Sequence, residues 1–479
     1  MKIPEKGLPK EEILKILQNY KGQDLDWQSG QVLGLIYDAG QKVHDVGHDA
    51  YTMYLTENAL DPLSFPSLLR LENEVVRMTA NLLGCNSEVV GNFTSGGTES
   101  LILAVKTARD YSRAVKPHIK EPEMVLPITA HSSLHKACHY LGIKPVVTRV
   151  HDDTFKADVA AMRTAITDNT ILLVGSAPGY AHGVVDPITE IASLAKENDL
   201  LCHVDACVGG IHLSYMRQLG FDVPDFSLNI PGVTSLSVDL HKYGYAPKGA
   251  SIVLHKNKEL RKYQIWGCSR WTGYPVINAA ITSAKSGGPM AAAWAVLNYM
   301  GDDGYKKIVQ EVMAATELMI EGVNRLDGLR VLGKPDMCMF ALASTTEKIN
   351  VYHLAEEMKK SGWFLQPQFA RENSPASLHI SLNRSTVPRA RAFIKDFEQT
   401  VADIKHGEAD RQLLDLQEEL KKLSLKYDDE TFFKLAAMAG VTGTEPPANM
   451  EKVNMLLEAL PYDISEYVMV EFLNNMMGT

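Results

Sequence analysis

Four short segments carry side chains whose types and spacing could act together on one ligand. Thr94-Ser-Gly-Gly-Thr-Glu-Ser100 leads into a stretch of helical periodicity. Gly96 and Gly97 let a ligand approach the backbone closely, and Thr98 and Ser100 add hydroxyls. The free amides and positive dipole end of the following helix would attract an anion. The same residues are also good capping chemistry. Leu201-Cys-His-Val-Asp-Ala206 ends an apolar run on Asp205, a carboxylate costly to bury unless a cation or hydrogen-bond donors meet it. Ser237-Val-Asp-Leu-His-Lys-Tyr-Gly-Tyr245 sets Lys242 beside His241 and aromatic residues, with Lys248 following in Ala246-Pro-Lys-Gly249. A lysine crowded by apolar and cationic neighbours is expected to have a depressed pKa and to suit Schiff-base chemistry. Most lysines are solvated surface charges, so this segment alone decides nothing. Thr129-Ala-His131 ends on an imidazole that could stack on a planar ring or serve as an ordinary loop histidine.

The elements that would position these groups alternate along the chain. Apolar runs at Met124–Ile128, Val146–Val150, Ile171–Gly175, Leu200–Asp205, Thr234–Val238 and Ser251–Leu254 read as buried strands. Thr98–Ala114 and Pro187–Glu197 read as helices between them, and Ser67–Leu83 as a helix before them. Strands alternating with helices predict a mostly parallel sheet covered on both faces. Strand ends of such a sheet converge on one crevice. An anion cradle, His131, Asp205 and Lys242 meeting there fit pyridoxal 5'-phosphate (PLP), which needs a phosphate site, a ring-nitrogen partner and a lysine for its aldehyde.

Beyond about residue 305 the pattern changes to long amphipathic helices with strands at Leu329–Val331, Phe340–Leu342 and Leu378–Ser381. The last 75 residues read as helical apart from a turn-rich break at Thr442–Asn449. Residues 1–60 hold a short amphipathic helix (Ile13, Leu14, Ile16, Leu17) and a Gly-rich, polar stretch without a clear assignment. The expected division is an N-terminal segment (1–60), a large α/β domain (61–304) and a smaller α+β domain with a helical tail (305–479).

Composition narrows the class. Lys and Arg number 48 against 58 Asp and Glu, a formal charge of −10, which argues against nucleic acid as a partner. Six scattered cysteines without a CxxC pair argue against a disulfide scaffold or zinc ribbon. The first ten residues lack a signal-peptide h-region, and apolar stretches such as Met290 to Leu297 fall short of the ~20 residues that span a bilayer. A cytoplasmic protein without a transmembrane segment is expected.

Thr94–Asp110, His131–Gly142, Gly175-Ser-Ala-Pro178 with His182-Gly183, His203-Val-Asp-Ala-Cys-Val-Gly-Gly210 and Asp239–Gly249 resemble the sphingosine-1-phosphate lyases, a branch of the group II PLP-dependent decarboxylases. The resemblance runs from about Ser29 through Gly304, and Thr442-Gly-Thr-Glu to Leu460-Pro461 is also similar. It implies a PLP-dependent fold type I, aspartate-aminotransferase-like homodimer with the cofactor near the subunit interface. By that resemblance Lys242 forms the Schiff base, Asp205 holds the pyridine nitrogen protonated and His131 stacks on the ring. Gly97, Thr98 and His241 bind the cofactor phosphate, and Ser286-Gly287-Gly288 approaches from the partner subunit. Tyr180, Cys207 and Lys248 line the substrate side, Tyr180 as a catalytic residue where a base removes the substrate hydroxyl proton. Many members carry an N-terminal membrane anchor, which this chain is expected to lack.

Two departures bear on the substrate. The family's Ser-Gly-x-Val-Tyr is Ser29-Gly-Gln-Val-Leu33 here, and its Asn-Pro-Leu-His is Asn58-Ala-Leu-Asp61. Leu33 and Asp61 replace groups that the family uses near a substrate phosphate, so binding of a dianion is expected to weaken. Lys248 remains.

The resemblance therefore implies a carbon–carbon lyase that cleaves a small 2-amino-3-hydroxy amine, in the family a phosphorylated long-chain base, to an aldehyde and an amine. Amino-acid α-decarboxylation is the alternative within the same cofactor chemistry. A catalytically inert binding protein of this fold is disfavoured by the intact Lys242, Asp205 and His131. A metal hydrolase is a poorer reading: His44-Asp-Val-Gly-His48 has paired histidines, but Asp45 where a zinc helix has Glu and Gly47 within the helix. No metal is expected.

Overall fold

The computed structural model describes residues 2–346, 348–404, 420, 426–441, 447 and 449–477. Strands β1 (Val90–Thr94), β2 (Glu123–Pro127), β3 (Lys144–Thr148), β4 (Thr170–Ser176), β5 (Leu201–Asp205), β6 (Ser235–Asp239) and β7 (Ser251–His255) form the central sheet, in the order β1-β7-β6-β5-β4-β2-β3. The pairs from β6 through β3 are parallel, whereas β7 runs antiparallel to both β6 and β1.

The sheet is covered on both sides, and the period of two decides which residue faces which cover. Met124 and Leu126 of β2, with Leu172 and Val174 of β4, pack in one cluster under α4 (Gly97–Val115) and α5 (Ser132–Leu141). Val125 and Leu173, one position over, join the larger core on the opposite side. Ahead of these lie α1 (Lys10–Lys21), α2 (Gln41–Met53) and α3 (Pro66–Leu82); after them come α6 (Val159–Ala165), α7 (Ile188–Glu197), α8 (Gly210–Gln218), α9 (Lys258–Arg261) and α10 (Gly287–Asn324). The larger core draws on α3, α7, α8 and α10.

The α/β class and mostly parallel sheet stand as the periodicity predicts, and each expected strand lies within two residues of an observed one. Several elements escaped it, β1 and α2 among them. Strand β1, Val-Gly-Asn-Phe-Thr, has weak strand character; pairing with β7 creates it, and a Cβ on Gly91 would sit 2.5 Å from the Val253 carbonyl oxygen. Helix α2 falls in the unassigned polar stretch because only Val43 and Gly47 are buried. Gly47 lets α2 close onto Pro247 and Val296, which lie 3.3–3.4 Å from where a Cβ would stand.

The strands β8 (Trp266–Cys268) and β9 (Val276–Asn278) form a hairpin. Helix α10 runs through position 304 and breaks at Gly301, where φ is 54°. A second sheet, β10-β11-β13-β12, follows: β10 (Leu329–Val331), β11 (Met339–Ser344), β12 (Gln366–Gln368) and β13 (Ser377–Ser381), all antiparallel. It is flanked by α11 (Val351–Lys360) and α12 (Ala390–Ile404). Helices Asp429–Met438, Glu451–Ala459 and Tyr462–Met476 share a small core of Phe432, Leu435, Leu456, Leu460, Ile464 and Val468. Much of the expected break at Thr442–Asn449, and of the tail before Lys426, lies outside the described residues. Among those described, no helix is long and apolar enough to cross a membrane.

Candidate active site

The carboxyl ends of β2, β4, β5 and β6 open onto one cavity of about 360 Å³. Its wall includes Ser95, Gly96, Gly97, Thr98, His131, Ser176, Tyr180, Asp205, Cys207, Asp239, His241 and Lys242. The four segments that carry the chemistry in sequence therefore meet in space.

Asp205 is the last residue of β5 and is nearly buried. Its Oδ1 accepts the Cys207 amide at 3.0 Å, which fixes the carboxylate and leaves Oδ2 for the cavity. His131 caps α5: its Nδ1 accepts the Ser133 amide at 3.2 Å, so the ring proton is on Nε2. His241 is arranged alike, with Nδ1 accepting the Ala250 amide at 3.0 Å. Burial, reinforced by the Lys248 and Lys242 cations, pushes the His241 pKa down to about 4 even against Asp239, leaving a neutral Nε2–H donor.

Lys242 departs from expectation. Its Nζ lies 2.9 Å from Oδ2 of Asp239, itself only 2% exposed. Burial alone would press the lysine pKa down, but the Asp239 charge outweighs burial and holds it above the ordinary lysine range. The expected depressed amine is thus an ion-paired ammonium, because the sequence argument counted His241 and the aromatics and overlooked the carboxylate three residues earlier. Burial would likewise raise Asp239, yet Lys242 and His241 keep it below the usual carboxylate range.

These residues suit PLP on grounds of shape and unmet polarity. A Cβ on Gly97 would stand 2.7 and 2.9 Å from the Asp239 oxygens and 3.0 Å from Cys207 Sγ, so only glycine leaves this cradle open. Ser176 Oγ and Asp239 Oδ1 are buried at the same cavity without a hydrogen-bond partner. The α4 amino terminus supplies free amides, and Thr98 Oγ1 meets Ser133 Oγ at 2.8 Å. Behind the cradle run three hydroxyls: Thr94 Oγ1 to Ser100 Oγ at 2.6 Å, Ser100 Oγ to Ser251 Oγ at 2.8 Å, and Ser251 Oγ donating to the Val238 carbonyl at 3.1 Å.

Elsewhere on the cavity wall, Tyr180 stacks on His379 with centroids 4.1 Å apart and donates its hydroxyl to Gln366 Oε1 at 2.7 Å. Burial raises its pKa, so the phenol keeps its proton. Cys207 Sγ donates to Ser237 Oγ at 3.2 Å, and burial pushes its pKa well up, which makes it a thiol. Gln366 and Asp239 carry no motif that singles them out in sequence; Asp239 could have been found from its spacing to Lys242.

A second cavity of about 310 Å³ shares the His241 wall. Trp27, Ile36, Tyr37, Val43, Tyr51 and Pro247 make it largely apolar, with Lys248 at its rim. Lys248 Nζ stands over the Tyr37 ring, 5.2 Å from its centroid. Leu33, by contrast, is buried in the larger core and lines neither cavity. His44 and His48 line the second cavity beside their own neighbours Asp45 and Asp49. Among the described residues no group of three metal-ligating side chains occurs.

Four further expected residues gather elsewhere. Asn58 bridges to Ser286 in the backbone, and Gly287 donates to the Glu57 carbonyl at 2.8 Å. A Cβ on Gly288 would meet the Tyr51 ring at 2.9 Å. Asp61 is exposed and caps its own turn through the Leu63 amide and the Ser64 hydroxyl. None of the four lines the Lys242 cavity of its own chain.

Comparisons with known proteins place the chain among pyridoxal-dependent enzymes. The pyridoxal-dependent decarboxylase conserved domain matches residues 9–341, and a C-terminal domain of pyridoxal-dependent enzymes matches residues 411–475. The chain is 38% identical over 405 residues to the sphingosine-1-phosphate lyase of Dictyostelium discoideum, and 40% identical over 413 residues to that of Arabidopsis thaliana. Each alignment covers 84% of this chain and 74% of the relative. The solved structure of a Burkholderia pseudomallei sphingosine-1-phosphate lyase superimposes with a TM-score of 0.80 at 32% identity, covering 89% of this chain and 98% of that one.

Proposed function

The chain belongs to the sphingosine-1-phosphate lyase family of pyridoxal-dependent enzymes, and from that premise we propose that it cleaves the Cα–Cβ bond of a phosphorylated 2-amino-3-hydroxy long-chain base. The products are an aldehyde and a phosphorylated amine. The observation that carries this reading is the convergence of Lys242, Asp205, His131 and the Gly97 cradle on one cavity.

When bound, PLP supplies the electron sink that accepts the pair released by the breaking bond. Lys242 would anchor the aldehyde carbon. Asp205, held by the Cys207 amide, offers Oδ2 to keep a proton on the ring nitrogen. Gly97, Thr98 and the neutral His241 would receive the cofactor phosphate, and His131 would contact the ring. Tyr180 keeps its proton and orients Gln366 at the substrate side, rather than removing a proton itself.

The second cavity takes the rest of the substrate in this reading. Lys248 and the Tyr37 phenol meet the phosphate, and the apolar wall meets the chain. Tyr37, four residues past Leu33, thus supplies the hydroxyl that the motif at Leu33 lacks.

The same reading makes the protein a homodimer. Trp266, Trp271, Tyr274, Ile277 and Ile281 are exposed on and after the β8–β9 hairpin, more apolar surface than a lone chain ordinarily presents. Asn58, Asp61, Gly287 and Gly288, grouped away from their own chain's cavity, then belong to the partner's site. All six cysteines are free, as suits a reducing cytoplasm. The working division is 1–60, 61–304 and 305–479.

Purified protein with PLP is the test. Aldehyde release from phosphorylated 2-amino-1,3-diols supports the reading. Carbon dioxide release from amino acids without aldehyde would replace it by α-decarboxylation.

A further inference from the structure

Asp239 has the geometry of a group with a task in the site. It ends β6, is 2% exposed, points one oxygen at Lys242 Nζ at 2.9 Å and leaves the other buried at the cavity wall without a partner. The groups around the pair sharpen this. Cys207 and Tyr37 act on Lys242 but both are held protonated by burial, and His241, 3.7 Å from Asp239, is neutral. Tyr180 also keeps its proton, and Lys248 adds only a like charge. Asp205 lines the same cavity, but its placement is fixed by Cys207. Asp239 is therefore the anion in contact with the lysine.

We propose that Asp239 is a positioning residue that receives Lys242 as an ammonium whenever that amine is not bonded to the cofactor. The inference rests on Lys242 being the cofactor anchor. Condensation of the amine with the cofactor aldehyde forms one C=N bond and releases one water, and it requires the ammonium proton to depart first to solvent. Asp239 opposes that departure. It makes capture of the cofactor depend on pH, and it returns the amine to one fixed place each time substrate displaces it. A charge of opposite sign at this range moves a pKa by about 1–3 units.

The test compares wild type with Asp239→Asn. Cofactor-free protein is mixed with PLP across a pH series, reduced with borohydride and mapped for label at Lys242. The expected result is a capture midpoint lower by about 1–3 pH units in Asp239→Asn. The cofactor's own titration is common to both proteins and cancels in the difference. Identical midpoints overturn the proposal while leaving the anchor intact; label absent from Lys242 in both proteins overturns the anchor and the proposal together. Should Asp239→Asn not fold, acetylation of Lys242 in cofactor-free wild type decides. A rate still climbing about tenfold per pH unit up to pH 11 is expected of an ion-paired ammonium, and a plateau near or below the ordinary lysine value of about 10.4 overturns it.

Discussion

Glu99 accepts a hydrogen bond from the Ile281 amide at 2.6 Å, although 182 positions separate the two residues. Its other oxygen takes both the amide and the hydroxyl of Ser95, at 2.6 and 2.7 Å. Four residues further along, Lys285 pairs with the nearly buried Glu72 at 2.5 Å. The stretch leading into α10 is thus tied at two points, and the first tie ends on the glycine-rich cradle.

Glu99→Gln is therefore expected to loosen the cradle. Every partner of this carboxylate is a donor, so an amide nitrogen in its place opposes at least one of them. PLP affinity should fall about tenfold or more, as for loss of one charge-assisted hydrogen bond. Equilibrium dialysis with absorbance detection measures it. An unchanged affinity with lowered thermal stability would reduce Glu99 to a helix cap.

Lys242→Ala should abolish borohydride-fixed cofactor and lower turnover by a factor on the order of 10³ or more. Peptide mapping and an aldehyde assay read the two effects. Retention of label elsewhere at full stoichiometry would contradict the anchor.

Asp205→Asn should keep the fold, because the amide oxygen can still accept from Cys207. Turnover should nonetheless drop by about 10²–10³, the usual cost of removing one group placed against developing charge. Circular dichroism and single-turnover kinetics separate folding from rate. Wild-type rates in this variant would exclude a ring-nitrogen role.

Tyr37→Phe and Leu33→Ala are expected to fail differently. The first removes the hydroxyl of the ring that lies under Lys248 and should raise KM for a phosphorylated substrate roughly tenfold, with little change for its unphosphorylated analogue. The second empties a core position and should cost about 2–5 kcal/mol of stability, seen as a lower Tm. A KM effect at Leu33 alone would return the substrate role to that position.

The C-terminal helices should dock more firmly in mild acid. His353 Nδ1 meets Glu451 at 3.0 Å, and that hydrogen bond raises the imidazole above its ordinary 6.5. The contact contributes fully below that value and is lost as pH rises through the raised one. Hydrogen exchange over residues 449–477 at pH 6 and pH 9 measures this, and Glu451→Gln should remove the difference.

Much of the sheet was legible because buried parallel strands are continuous apolar runs, and three of the four chemical segments sit where such runs stop. Strand β1 was not legible, since its pairing with β7 comes from residues some 160 positions away rather than from its own composition. Lys242 shows the same limit at the site. Its identity and place could be read, but its charge state depends on where Asp239 lands when β6 ends and the chain turns. Leu33 shows it again: the family resemblance assigned its position to the substrate, whereas the fold turns its side chain into the core and brings Tyr37 to the cavity.

The serial hydroxyls behind the cradle can order their hydrogens in either sense. Thr94 Oγ1 also reaches the Gly96 carbonyl at 3.4 Å, and Ser251 Oγ reaches the Val238 carbonyl at 3.1 Å, so the row ends on an acceptor at each side and can donate toward either one. Replacing Ser100 by alanine would cut the row at its middle, so a change within α4 would reach the strands beneath the cradle without touching any ligand.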